Sequence, residues 1–112
     1  MRRWEVVRRD GTVRLFEFDS GNDSMLEIMP SESLKVVNHS PCGFEFGYGG
    51  SGPAQLALAI LLRYYGKGKR MAGVAEWQHQ SFKWAFVATA PDGGFVISET
   101  EIGEWLAKEG RK

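Results

Sequence analysis

The chain has one cysteine, four prolines, no apolar run of membrane-spanning length and no surplus of either charge, and each shortage removes a class of protein. A single thiol, Cys42, cannot close an internal disulfide. No Cys/His spacing resembles a structural zinc site, so a reducing compartment is expected and no metal or cofactor is implied. The longest unbroken apolar stretch, Leu56 to Leu62, falls far short of a bilayer-spanning helix. Arg2-Arg3 is followed by Trp4-Glu5-Val6-Val7-Arg8 and not by the apolar core of a secretory leader, so a cytoplasmic protein without membrane attachment is expected. Lys plus Arg and Asp plus Glu each number 14, which removes any net pull toward nucleic acid or an anionic membrane.

What is present is the composition of one globular domain over residues 1–112. At 43% hydrophobic and 25% charged, the chain has enough apolar surface to fold without staples and too little charge imbalance for disorder. A chain of this length buries roughly two-thirds of its unfolded surface.

Phe44 to Tyr65 organises the rest. Phe44-Glu45-Phe46 alternates like a short strand, and Gly47, Gly49, Gly50 and Gly52 follow as a turn able to take positive φ. Ser51 is a candidate helix cap and Pro53 suits a first helical turn. Leu56 to Leu62 has no polar face, which places this helix in the middle of the domain. Gly47-x-Gly49-x-x-Gly52 matches a dinucleotide fingerprint in letters only. A Rossmann unit needs a strand after the helix and an acidic residue about 20 positions on. Gly66-Lys67-Gly68-Lys69-Arg70 stands there instead, and no Gly-Lys-Ser/Thr closes a P-loop. The glycines then serve strand-to-helix packing. As a ligand site, the backbone N–H groups of Gly49, Gly50, Ser51 and Gly52 would hold a small anion or nucleotide phosphate, with His39, Tyr48 and Gln55 orienting it.

The run His39-Ser40-Pro41, then Gly43 through Ala57, resembles an uncharacterised family of small bacterial, archaeal and phage proteins known only as a domain of unknown function. Its pattern is His-Ser-Pro followed by Gly-Phe-x-Trp-Gly-Tyr-Gly-Gly-Ser-Gly-Pro-x-Gln-Leu-Ala. Phe46 stands at the family's Trp, Cys42 lies outside the pattern, and Phe82-Lys83 and Ile102-x-x-Trp105-Leu106 match loosely downstream. The resemblance covers roughly the last two-thirds of the chain and implies no activity; a role in a mobile element or in host–phage conflict is compatible with it.

Elsewhere, Trp4 to Phe18 reads as a hairpin around Arg9-Asp10-Gly11, with Gly11 in a bulge. A three-residue loop sets Trp4 opposite Phe16 and puts Trp4, Val6, Phe16 and Phe18 on the core face. Glu5, Val7, Arg9, Val13, Leu15 and Glu17 then face water. Arg2, Arg3, Arg8, Arg9 and Arg14 read as a solvated charged edge. Asp19 to Ser24 is an acidic loop without calcium-loop spacing. Met25 to Met29 is a third strand, closed by Pro30-Ser31-Glu32-Ser33, and Leu34 to Val37 a fourth. His39, Ser40 and Cys42 bring an imidazole, a hydroxyl and a thiol close together, but a Cys/His pair needs a base and an orienting group assembled in three dimensions. Loop hydrogen bonding and a small apolar Cys42 explain them.

Gly66 to Arg70 is a flexible basic connector of helix-end cations. Val74 to Ala90 favours a helix with Val74, Trp77, Ser81, Ala85 and Ala88 on one stripe, widened by Phe82 and Phe86; a hairpin from Phe82 through Ile97 is the alternative. His79 is read as a surface polar residue, with no second ligand at i+4. Phe95 to Ile97 is a short strand, Ser98-x-x-Glu101 a capping box opening a last helix, and Gly110-Arg111-Lys112 a frayed tail.

The expected architecture is α+β: a small antiparallel sheet led by the N-terminal hairpin, the central helix on its Trp4/Phe16 face, and two further helices. Three functions are compatible with it. The first is a non-enzymatic binding module recognising a protein partner through the His39 to Gly52 loop and exposed aromatics. The second is the small-anion site, with or without catalysis. Last, given neutral charge, comes RNA or single-stranded DNA binding through Tyr64, Tyr65, Lys67, Lys69 and Arg70.

Overall fold

In the computed structural model, which describes residues 1–40, 43–66 and 68–109, the chain forms an α+β domain. Strands β1 (Arg2–Arg9), β2 (Thr12–Asp19) and β3 (Ser24–Ile28) are followed by helices α1 (Ser31–Val36), α2 (Ser51–Tyr65) and α3 (Lys69–Phe82). Helix α3 continues as one π-helical turn, Lys83–Val87, before strand β4 (Gly94–Ser98) and helix α4 (Glu99–Glu109). The sheet is antiparallel throughout, in the order β3-β2-β1-β4.

The hairpin forms, but with a two-residue loop. Asp10 (φ 52°) and Gly11 (φ 78°) both sit in the left-handed region, and Arg9 pairs with Thr12. Asp tolerates that region and Gly is indifferent to it, and a turn with two such residues matches the twist of the strands better than the expected bulge. The register moves by one residue and every β2 side chain changes face. Trp4 is opposite Glu17 and Val6 opposite Leu15, all four buried. Phe16 and Phe18 lie on the outer face instead, under the guanidinium groups of Arg14 (5.5 Å) and Arg3 (4.4 Å). Nor is β1 an edge, because β4 pairs along it, so its arginines are not an edge-blocking row. They pair locally: Arg2 with Glu99, Arg3 with Glu5, Arg8 with Glu45, and Arg14 of β2 with Glu27.

Leu34 to Val37 is not a strand. Pro30 has helical angles (φ −63°, ψ −20°), and its carbonyl accepts the Leu34 N–H (3.0 Å) and the Ser33 hydroxyl (2.9 Å), so Pro30-Ser31-Glu32-Ser33 starts a helix. Phe44-Glu45-Phe46 has both rings in the core yet belongs to no strand of the sheet.

Helix α2 is buried on every side from Gly52 to Leu61, as its unbroken apolar run demands. It packs on the Trp4, Val6, Leu15 and Ile97 face of the sheet, and Ala75, Phe82 and Val87 cover it opposite. Gly50 occupies its N-cap position without a side-chain cap bond, so Ser51 is the first helical residue and not the cap. At the other end Arg2 donates to the carbonyls of Arg63 (2.7 Å) and Tyr64 (3.1 Å), satisfying the unpaired end of the helix.

The helical reading of Val74 to Ala90 holds through Val87, but the helix begins earlier, at Lys69, and presents a different stripe. Ala75, His79, Phe82 and Val87 face the core while Trp77, Ser81 and Ala85 are exposed. Ala88 N–H donates to Lys83 O (2.8 Å), the five-residue spacing of the π turn. The capping box forms reciprocally, Glu101 N–H to Ser98 Oγ and Ser98 N–H to Glu101 Oε1, both 3.1 Å. Ile102 is buried, and the Trp105 ring sits 5.5 Å from Phe82 and 5.9 Å from Phe86. The tail from Gly110 lies outside the described residues.

Candidate functional site

The loop between α1 and α2 is built on one buried amide. Gln55 is 0% exposed, and its two amide atoms make four hydrogen bonds. Oε1 accepts the N–H groups of His39 (2.8 Å) and Ser40 (3.1 Å), while Nε2 donates to Ser33 Oγ (2.9 Å) and Val37 O (3.0 Å). That uses the full capacity of an amide side chain, so Gln55 fixes the path of the loop.

The loop held this way brings His39 against α3. Its Nε2 lies 2.8 Å from Nε2 of His79, with the ring centres 5.0 Å apart and the planes inclined at 37°. His79 is 4% exposed, not a surface residue: it shares the inward stripe of Ala75 and Phe82 one turn away on either side. Its Nδ1 meets the carbonyl of Glu76, which can only accept. The proton of neutral His79 is therefore on Nδ1, its Nε2 is the acceptor, and His39 Nε2–H is the donor. Burial pushes the His79 pKa below its ordinary value; the Glu76 carbonyl opposes this, and the positive charge possible on His39 and carried by Lys83 reinforces it. Beside the pair opens a cavity of about 350 Å³ lined by Val37, His39, Gly73, Glu76, Trp77 and His79.

The glycine turn is closely covered by side chains. A Cβ on Gly49 would lie 2.2 Å from Cη2 of Trp84, one on Gly50 2.4 Å from Cε2 of Tyr48, and one on Gly52 2.6 Å from Cβ of Glu45. Lys83 clamps the turn, donating from Nζ to Gly49 O (3.2 Å) while lying 4.5 Å from the centre of the Trp84 ring. Gly47 has φ +88°, and its N–H donates to Val87 O (2.9 Å), so the turn is stitched to the π segment. Among the predicted site residues, His39 and Gln55 meet through the backbone, and Tyr48 packs over Gly50. Ser51 is exposed in the first turn of α2.

The basic connector is organised differently. Tyr64 packs toward Trp4 (6.4 Å) and Tyr65 (5.2 Å), and the Tyr65 hydroxyl donates to Gln78, so both rings are committed to packing. Lys69 and Arg70 form the exposed first turn of α3, a helix end whose dipole disfavours cations, instead of a flexible linker. Lys67, like Cys42 and the reading of it as an apolar filler, lies outside the described residues.

Sequence reasoning missed three groups: His79 as His39's partner, Lys83 as the clamp, and Trp84 as the cover of Gly49. The usable signal was the repeat of inward positions Ala75, His79, Phe82, which a stripe centred on Trp77 concealed.

The structure is thus an antiparallel α+β domain in which the loop before α2 meets α2 and α3 at a buried amide and a histidine pair, and among the described residues no helix is long and apolar enough to cross a membrane. The chain belongs to DUF6166, a family of unknown function, whose model matches residues 8–108. No curated protein and no solved structure matches it significantly.

Proposed function

We propose that the protein is a non-enzymatic interaction module that recognises a protein partner through an aromatic surface bordering the His39 to Gly52 loop. The observation that carries this reading is the exposure of three large aromatic side chains around one site: Trp77 at 80%, Trp84 at 59% and Tyr48 at 52%. Tryptophan is seldom left so exposed, and Trp and Tyr supply much of the binding energy at protein interfaces. Trp77 and Trp84 are seven residues apart, two turns of one continuous helix, which turns them to nearly the same side. Tyr48 and Trp84 cover neighbouring glycines, so the helix and the loop contribute to one face. Lys83 and Gln55 hold that face in shape before any partner arrives, which lowers the ordering cost of binding. The setting we infer is the cytoplasm of a prokaryote or a phage-infected cell, following the motif from His39 to Ala57.

Amide chemical-shift mapping of the labelled protein tests this. Broadening around Tyr48, Trp77 and Trp84 with a lysate-derived partner fraction, abolished in a Trp77→Ser/Trp84→Ser variant of unchanged thermal stability, is the expected result. Shifts confined to Gly47 through Gln55 with inorganic phosphate or a nucleotide would replace it by an anion site. Shifts from Tyr64 to Arg70 with a short single-stranded oligonucleotide would replace it by nucleic-acid binding.

A further inference from the structure

We infer that His39 and His79 form a two-imidazole site for a divalent transition-metal ion, with Zn2+ or Co2+ bound between their Nε2 atoms at the mouth of the Trp77 pocket. The inference is independent of the partner-binding reading.

The first support is spacing. Two imidazoles on one tetrahedral ion, each with a metal–nitrogen distance of about 2.0 Å, hold their ring centres about 5.2 Å apart and their nitrogens about 3.3 Å apart. The observed ring centres are 5.0 Å apart and the Nε2 atoms 2.8 Å apart. The rings therefore need no translation. A small rocking of each, which turns both Nε2 lone pairs off the line joining them and toward a common point in the pocket, opens the nitrogens by the remaining distance.

The second support is the way the His79 ring is held and the His39 backbone is placed. A metal-ligating histidine typically donates its other ring N–H to a carbonyl, which fixes the tautomer and aims the ligating nitrogen. His79 has this arrangement through Nδ1 and Glu76 O, leaving the Nε2 lone pair as its sole acceptor site. His39 is positioned from behind by its own backbone N–H on the fully buried Gln55.

The third is room and charge. The cavity of about 350 Å³ alongside admits an ion with its waters, and the acidic residue Glu76 is among those that line it. Among the described residues no cluster of three or more His, Cys, Asp or Glu side chains is arranged to hold a metal. The protein accordingly supplies two nitrogen ligands and water completes the shell, so the ion is held less tightly than in a structural zinc site with four protein ligands.

Binding has a definite proton balance. His79 keeps Nδ1–H and offers its existing lone pair. His39, which carries its proton on Nε2 in the hydrogen-bonded pair, must bind through that atom, so the proton moves to Nδ1 by exchange with water. Both imidazoles remain neutral, one N–H···N bond is lost, two metal–nitrogen bonds form, and no net proton is released.

The test uses untagged, chelator-treated full-length protein and ZnCl2 or CoCl2 alone. Nitrogen-15 spectra of the histidine rings are expected to show Nε2–H on His39 and Nδ1–H on His79 before metal, and Nδ1–H on both with metal-shifted Nε2 resonances after one equivalent of Zn2+. Calorimetry is expected to give one ion per chain, with affinity reduced at least about tenfold in His39→Gln. His39 is only partly buried, so this variant should stay folded, which its amide spectrum checks. If the variant does unfold, the tautomer exchange in the wild-type protein decides alone. Unchanged Nε2 resonances at saturating Zn2+, or undiminished affinity in folded His39→Gln, would overturn the site.

Discussion

The indole nitrogen of Trp4 donates to Oε1 of Glu17 across the β1–β2 pair at 2.9 Å, with both side chains buried on the helix-facing side of the sheet. Arg63 of α2 holds the same carboxylate through two bonds of 2.9 Å. One anion thus ties two strands to the central helix, and it sits where the hydrophobic face of the sheet meets solvent.

Replacing Glu17 by Gln is expected to lower stability by about 1–2 kcal/mol, the range for loss of charge-assisted bonds at a partly exposed pair. Urea unfolding measures it. Burial by itself raises the Glu17 pKa, but the bonds from Arg63 and Trp4 and the charges of Arg63 and Arg2 outweigh it and leave it below the ordinary 4.5. A depressed folded-state value means the stabilisation is complete above pH 4.5 and is lost as pH falls through the lower folded value. The gap between wild type and Glu17→Gln should therefore narrow in acid below pH 4.5 and stay constant above it.

Gln55→Leu fills the same region of α2 with an apolar chain but leaves the His39 and Ser40 N–H groups, the Val37 carbonyl and the Ser33 hydroxyl without that partner. A loss of about 2–4 kcal/mol is expected. Amide exchange at His39 and Ser40 should accelerate by more than the global change accounts for, because the loop path depends on this amide.

The glycines of the turn should respond differently to Ala. At Gly52 the added carbon meets Glu45 Cβ and backbone nitrogen, so backbone must shift and a loss of about 1–3 kcal/mol is expected. At Gly49 the obstacle is only the ring end of the exposed Trp84, so the ring swings away at lower cost and its fluorescence changes. Ser51→Ala should fall within about 0.5 kcal/mol of wild type, since Ser51 is not the cap. Thermal melts with fluorescence detection separate the three.

Gly11→Ala isolates a backbone effect. No atom lies within 4 Å of the added carbon, yet φ is +78°, so the expected loss of about 1–2 kcal/mol comes entirely from the left-handed conformation. Denaturant melts of this variant beside an Ala substitution in an exposed, regular position would show it.

The parts of the fold read correctly were those governed by local chemistry: the apolar run of α2, the Ser98/Glu101 box, the hairpin itself and β4. The errors came where a neighbour distant in sequence decides. Local geometry leaves both a three- and a two-residue loop open for Arg9-Asp10-Gly11, and the burial of Leu15 with the Arg63–Glu17 bond adds to the better twist of the second. Pro30 ends a strand or starts a helix equally well until Ser33 finds Gln55. His39 stands out in the sequence through its motif; its contact with His79 does not, because an imidazole on an inward stripe has meaning only once its partner, forty residues away, is placed.

A π turn is an α-helix with one residue too many, and Lys83–Val87 gives that extra residue a timing role in the sequence. Removing any one residue between Phe82 and Ala88 would let regular helical bonding resume, at the cost of turning everything downstream by about 100°. The Val87 carbonyl that receives Gly47 would then leave its post, and a deletion at Lys83 would displace the Trp84 ring on Gly49 with it. Chain length in this five-residue window is thus a tighter constraint than the identity of its exposed residues, and relatives should substitute there more readily than they gain or lose a position.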